Sequence, residues 1–370
     1  MAWILLAFGL VMIVEGLTYM LAPSHVEKVL DSGMIAEGEQ VYEFERQFKK
    51  LFGIENGVST SSGTAALDII YLHAGIGPGD EVISTAMTAE PTNTAILRTG
   101  ATVVFADVGK DDGLLSAEGI IAKITPRTKA ICVVHYAGYV CDLSPILELI
   151  KDLDIVLIED CAHALGAKYK GVSVGQHGDY GIFSFQAIKH MTTVDGGFLS
   201  FKESAWEIDL KKIRWFGLEK GVARQDNRIT TLGSKYNFNN LNASIGLEQL
   251  KSVKSNISAH ISNATIFNER FTGKTYVRPA SINTNSTPSF WIYSLLATDS
   301  QKLIAYLNDA GVGASKLHTP NYLHPIFGAQ SQVMKNLDLF YSELVHLPVG
   351  PWVSHDHANF IAEKIMSFYD

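Results

Sequence analysis

Residues 182–197 read IFSFQAIKHMTTVDGG. A short apolar, aromatic-rich run reaches Lys189, which is followed by His190, two threonines and the Asp195-Gly196-Gly197 turn. A second apolar run, Phe198 to Phe201, begins straight after. Brief continuous apolar runs bounded by turns are the pattern of strands buried on both faces. A lysine set between two of them is badly placed for a solvated charge. It is well placed for a reactive amine, because burial favours the neutral form and only that form is a nucleophile.

The same pattern recurs on both sides of this stretch. Apolar, β-branched runs lie at Val82-Ile83, Thr102 to Phe105, Ala130 to Val134, Ile155 to Ile158, Gly181 to Phe185 and Phe198 to Phe201. Between them the spacing predicts helices or loops at Pro91 to Thr99, Ser116 to Ile124 and Leu143 to Lys151. This alternation predicts an α/β fold with a mainly parallel sheet covered by helices on both faces. Upstream, Val41, Phe44, Phe48 and Leu51 recur at helical spacing, with Gly53 as the expected C-cap. A long helix begins around Leu241 to Val253. Beyond it, Val277 and Trp291 to Leu296 read as strands, and Gln301 to Ala310 and His357 to Tyr369 as helices. The expected organisation is an apolar segment (1–23), a large cofactor-binding domain (24–248) and a smaller C-terminal α/β domain (249–370).

The chain has 370 residues, a formal charge of -8 and 47% apolar residues, which is a compact globular composition. No basic stripe offers a nucleic-acid footprint. Three separated cysteines, Cys132, Cys141 and Cys161, make neither a disulfide framework nor a paired-cysteine zinc site, so no metal is expected and the default compartment is a reducing cytoplasm. Residues 2–22 are apolar except for Glu15, Thr18 and a few small or aromatic positions. The length suits a membrane span. Glu15 near mid-membrane would cost roughly 2.5 kcal/mol or more. A membrane anchor, an apolar arm packed on the fold or a partner, and an upstream extension all stay open.

In a sheet of this type ligands bind beyond the carboxyl ends of the strands. Gly63-Thr64 follows the strand at Val58, Asp160 follows Ile155 to Ile158, and Lys189 follows Ile182 to Phe185. These are parts that pyridoxal phosphate needs. Its pyridine nitrogen must be held protonated by a buried carboxylate, for which Asp160 fits. Its aldehyde needs a lysine that can lose a proton, and that lysine then serves as the base. Its phosphate needs helix-end amides and hydroxyls, for which Gly63, Thr64 and Ser184 are candidates. The Ser61–Thr64 turn also reads as an ordinary N-cap, and Asp160 as a cap of the turn after it. His163 could face the ring's phenolic oxygen or be a core histidine bonded to backbone.

Six ordered stretches make the chain recognisable: SSGTAAL (61–67), GPGDEVI (77–83), TGATVVFADV (99–108), VHYAGYVCD (134–142), IEDCAHALGAKYKG (158–171) and FSFQAIKHMTTVDGG (183–197). Together they resemble the DegT/DnrJ/StrS family of pyridoxal-phosphate-dependent aminotransferases acting on nucleotide-linked keto-sugars. The resemblance runs from about Val26 to the C-terminus. It implies a fold-type-I enzyme with a mainly parallel seven-stranded sheet, and glutamate as the amino donor. It also implies Lys189 as the Schiff-base lysine, Asp160 as the pyridine-nitrogen partner and His163 beside the phenolic oxygen. Gly63, Thr64 and Ser184 match phosphate contacts. A homodimer with shared sites is implied, in which a segment like GSKYNFNNLNASIG (233–246) brings Lys235 to the partner subunit's phosphate. Candidate sugar-lining residues are His318, Asn321 and Tyr322 in KLHTPNY (316–322), and Arg214 in RWFG, each with a plain structural role as its alternative.

The chain departs from the family pattern in four places. Ala89 stands where many members stack an aromatic ring over the cofactor. Asn237 stands where Arg or His is common, and Lys235 where asparagine is. The usual opening segment is replaced by Met1 to Leu21. A sugar-dehydratase branch of the family carries histidine in place of the lysine. Here His190 follows Lys189 and does not replace it. A third reading is a non-catalytic, membrane-tethered or regulatory homologue, which would have no use for a reactive lysine.

Overall fold

The computed structural model describes residues 23–328 and 334–370. The apolar segment 2–22, with its three readings, lies outside the described residues. Two helices come first, α1 (Pro23–Ser32) and α2 (Glu39–Phe52). In α2, Val41, Phe44 and Phe48 are fully buried, and Gly53 ends the helix in the left-handed region, as the spacing predicts.

The large sheet has seven strands: β1 (Gly57–Thr60), β2 (Glu81–Thr85), β3 (Thr102–Ala106), β4 (Thr128–Val134), β5 (Val156–Asp160), and two more separated from these by a short β6 (Lys168–Tyr169) and β7 (Val172–Ser173). Those two are β8 (Tyr180–Ser184) and β9 (Gly197–Phe201). Their spatial order is β1-β9-β8-β5-β4-β2-β3. The pairs β3–β2, β2–β4, β4–β5 and β5–β8 are parallel, so the mainly parallel α/β architecture expected from the run pattern is present. β9 alone runs against the rest of that sheet. The physical reason is the 185–196 connection. It contains no helix, and a parallel return needs a crossover while a hairpin does not. Lys189 therefore sits in a hairpin loop at the carboxyl end of β8.

Helices α3 (Gly63–His73), α4 (Glu90–Arg98), α5 (Ala117–Ile121), α6 (Leu143–Ile150) and α7 (Glu207–Arg214) accompany the sheet. The 32-residue α8 (Asn240–Phe271), about 48 Å long at 1.5 Å per residue, leads to the C-terminal part. The division expected at residue 248 falls inside α8. Its buried residues, among them Leu250, Val253, Ile257, Ala264, Phe267 and Phe271, recur every three or four positions. There a three-stranded antiparallel sheet, β10 (Val277–Pro279), β12 (Tyr293–Ala297) and β13 (Leu344–Leu347), packs with α9 (Ser300–Asp309), α10 (Lys335–Glu343) and α11 (His355–Tyr369). A short strand, β11 (Ser286–Thr287), instead joins β6 and β7.

Among the described residues no helix is long and apolar enough to cross a membrane.

Candidate active site

The carboxyl ends of β1, β5 and β8 bring three sequence stretches to one edge. After β1, Ser62 caps α3, its Oγ accepting the Ala65 N–H at 3.0 Å. The cap leaves the N–H groups at Gly63 and Thr64 at the positive end of an 11-residue helix, a place that suits an anion. Gly63 is buried beside Ser184. A Cβ on Gly63 would stand 3.2 Å from the Ser184 Cβ. Gly197 at the start of β9 closes the same cradle, because a Cβ there would lie 2.5 Å from the Ser62 carbonyl carbon and 2.6 Å from the Gly63 nitrogen.

Asp160 ends β5 and is buried. One carboxylate oxygen accepts the Thr92 hydroxyl at 2.7 Å and the other the Ala162 N–H at 3.0 Å. Burial still pushes its pKa above the usual carboxylate range, against those bonds and the charge of Lys189. Lys189 shows the mirror image. Burial of its amine lowers the pKa to about 7, and Asp160 only partly opposes this. Its Nζ lies 4.1 Å from the centre of the Trp291 ring. An acid pushed up and a base pushed down share one edge, and the charge each feels from the other does not offset the burial of either. A group carrying a cationic pyridine nitrogen and an amine-reactive aldehyde fits that donor set.

His163 is buried and stacks on Trp291 at 4.0 Å with 20° between the planes. Its Nδ1 accepts the Ala137 N–H at 3.4 Å, which assigns the ring proton to Nε2. One nitrogen is thus bonded to backbone and the other is left as a donor. Burial, with Lys189 nearby, holds it in the neutral form.

Of the four sugar-lining candidates, His318 faces this cluster. Its ring lies parallel to His163 at 5.6 Å, and its Nδ1 is 3.2 Å from the Tyr136 hydroxyl. Burial lowers its pKa to about 4, with Lys189 contributing. The Arg214 and Asn321 side chains are instead buried and bonded to neighbours within the fold. Arg214 joins Glu37 at 2.5 Å, Glu45 at 3.0 Å and the Ser59 carbonyl at 2.7 Å. Asn321 bonds Asn93 at 2.7 Å and the Thr88 carbonyl at 2.8 Å, tying its loop to the one that carries Ala89. The Tyr322 hydroxyl is bonded to Asp338. Lys235 is exposed, its amine 5.8 Å from the Trp215 ring centre, on a segment whose Tyr236 carbonyl accepts the Ser61 N–H at 2.7 Å. Asn237 Oδ1 in that segment is buried without a partner.

Thr92, Tyr136 and Trp291 were not distinguishable by sequence reasoning. Trp291 reads as the first residue of an apolar strand, and Thr92 as part of a helix start. Only the fold sets Thr92 against Asp160, Trp291 against Lys189, and Tyr136 against His163 and His318.

Cys161 lies beside a second buried group. His135, Glu159 and Cys161 place ligand-type atoms within 4.8 Å of one another. The Glu159 carboxylate, however, already accepts the N–H groups of Gly175, His177 and Gly178 and pairs with His135 at 3.1 Å. These four bonds account for its lone pairs and make it a brace for the 175–178 turn.

The buried histidines carry a pH consequence. His190 and His346 are lowered to about 3, and His260 and His318 to about 4, in each case by burial first. A histidine whose folded pKa lies below its unfolded value of about 6.5 contributes stability that is present above pH 6.5. That stability is lost as pH falls towards the folded value. The cofactor-free protein is therefore expected to lose several °C in Tm between pH 7 and pH 5, read by calorimetry; a flat Tm over that range would contradict the assignment.

The family described as DegT/DnrJ/EryC1/StrS aminotransferase matches residues 22–366. A second family, described as an uncharacterized protein conserved in bacteria (DUF2065), matches residues 4–38. The chain is similar to GDP-perosamine synthase of Escherichia coli O157:H7, 32% identical over 349 residues, covering 93% of this chain and 94% of that one. It is also similar to the spore coat polysaccharide biosynthesis protein SpsC of Bacillus subtilis, 29% identical with 92% of each chain covered. Among solved structures, the sugar aminotransferase CalS13 of Micromonospora echinospora superposes with a TM-score of 0.90 at 31% identity, over 94% of this chain and 96% of that one. Other similar solved chains include a PLP form and a PMP form.

Proposed function

The chain belongs to the DegT/DnrJ/EryC1/StrS aminotransferase family and is a pyridoxal-phosphate-dependent sugar aminotransferase; from that premise we propose a residue-by-residue account of its reaction. The amino group passes from glutamate to a keto group on a nucleotide-linked deoxysugar, in polysaccharide or secondary-metabolite sugar biosynthesis. The observation that carries the site assignment is the opposed pair at one sheet edge, Asp160 held up and Lys189 held down by burial.

When bound, the cofactor supplies an aldehyde and an electron sink. Lys189 anchors it through the neutral amine. Freed from that link, the same amine takes and returns the proton at the substrate carbon, a task suited to a base poised near neutrality. Asp160, oriented by Thr92 and Ala162, keeps the pyridine nitrogen protonated. His163, with Nε2–H free as a donor, would bond the cofactor's phenolic oxygen. Gly63, Thr64 and Ser184 hold the phosphate, and Lys235 reaches the partner subunit's phosphate in a homodimer. His318, backed by Tyr136, lines the sugar side.

A lysine at 189 leaves the dehydratase reading without its histidine, and a protein that only binds has no use for a buried reactive amine. Purified protein is expected to be yellow, to bleach with glutamate, and to convert a member of a keto-sugar nucleotide panel to an amine, read by product mass. A protein that stays colourless after reconstitution with the cofactor would sink this account.

A further inference from the structure

The residues on either side of Lys189 are both bonded to one short segment of the C-terminal part. The Trp291 indole Nε1–H donates to the Ile188 carbonyl at 2.7 Å. In the opposite direction, the His190 Nε2–H donates to the Ser289 carbonyl at 3.0 Å. The hairpin loop at 188–190 and the segment at 289–291 thus hold each other at two points, with the lysine between them. The Trp291 ring that makes one of these bonds also lies against the lysine amine and stacks on His163.

That segment is itself fixed from two further sides. His260 of α8, whose ring lies 4.6 Å from that of His190, donates through Nδ1 to the Phe290 carbonyl at 2.8 Å. On the remaining side the Ser289 N–H donates to the Gly138 carbonyl at 3.0 Å and the Ile292 N–H to Ala137 at 3.3 Å. Gly138 has φ +90, and a Cβ there would stand 2.6 Å from the Trp291 nitrogen and 2.7 Å from the Phe290 nitrogen. Only a glycine allows backbone to approach this closely in that conformation. Successive carbonyls at 289 and 290 therefore accept imidazole N–H groups while the N–H groups of Ser289 and Ile292 are taken up by the 137–138 turn.

We propose that His190 and Trp291 are positioning residues, forming a two-point clamp that fixes the Lys189 amine for proton transfer. The inference rests on the assignment of Lys189 as the reactive lysine. His190 does not touch the reacting atoms, and Trp291 meets the Lys189 amine only with its ring, which neither gives nor takes a proton. Each acts by holding the backbone that carries the lysine, where small misplacement of a catalytic group is costly in rate. A His190 ring left merely to fill space would need no donor at Nε2. The clamp does.

Three variants of the full chain test this: Trp291→Phe and His190→Phe, which keep a ring but lose the donor, and His190→Gln, which keeps an N–H at the Nε2 position. In the two phenylalanine variants kcat is expected to fall about 10- to 100-fold with KM nearly unchanged. Amide exchange measured on cofactor-free protein is expected to speed up at 188–190 and 289–291 together. His190→Gln is expected to restore both readouts. Unchanged kcat in His190→Phe, a fall in kcat without faster exchange, or a glutamine no better than phenylalanine would each overturn the clamp. Should His190→Phe fail to fold, Trp291→Phe carries the same two readouts. The assignment of Lys189 fails separately, by turnover surviving its own replacement, so the two failures are distinguishable.

Discussion

Replacing Lys189 with alanine is expected to abolish the yellow colour of the protein and lower turnover by about 10⁴-fold or more, the upper end of what a positioned base contributes. The fold should survive. A buried amine whose pKa is pushed from 10.5 to about 7 is a charge the folded state resists, so its removal relieves a desolvation cost while leaving a small gap against Trp291. Circular dichroism and thermal melting of the cofactor-free variant should match wild type to within a few °C. Turnover of a keto-sugar with glutamate at anything near the wild-type rate would remove Lys189 from its role as base and anchor.

Asp160→Asn is the second large effect, and its two readouts should move in opposite directions. Asparagine keeps the shape and can bond Thr92 and Ala162, but it carries no charge to hold a pyridine nitrogen protonated. Loss of such a preorganised electrostatic partner is expected to lower kcat roughly 10²- to 10³-fold. In cofactor-free protein the sign reverses. The carboxyl pKa is raised on folding, so the folded state binds the proton more tightly than the unfolded one, and stability falls as pH rises through that interval. At pH 7 the neutral asparagine is therefore expected to leave Tm unchanged or higher. If activity survives, or if the cofactor-free variant is markedly less stable, Asp160 is a structural residue of the β5 end.

Much of the frame was legible in residue order because it rests on local physics. The buried runs at Ala130 to Val134 and Ile155 to Ile158 with a helix between them could satisfy their backbones only in a covered parallel sheet, and β4 and β5 pair that way. The Gly63-Thr64 helix start and the buried Lys189 were visible for the same reason. Arg214 and Asn321 mark where this legibility stops. Both are polar residues in motif-like loops, and nothing in their neighbours along the chain reveals that their partners are 155 to 233 residues away in the sequence.

Ala89 makes the distinction sharper. From the sequence it is only a missing aromatic ring. In the fold, an aromatic group made of Trp291, His163 and His318 stands beside the lysine, assembled from the C-terminal part and the β5 loop. What the sequence determined by itself was the kind of chemistry: a lysine, a carboxylate and a helix start, each at the end of a buried strand, where local hydrophobic pattern places them. What only the tertiary structure decided was how the lysine is held. Its clamp joins residues about a hundred positions apart, and hydrogen bonds between such distant segments depend on packing that no local pattern encodes.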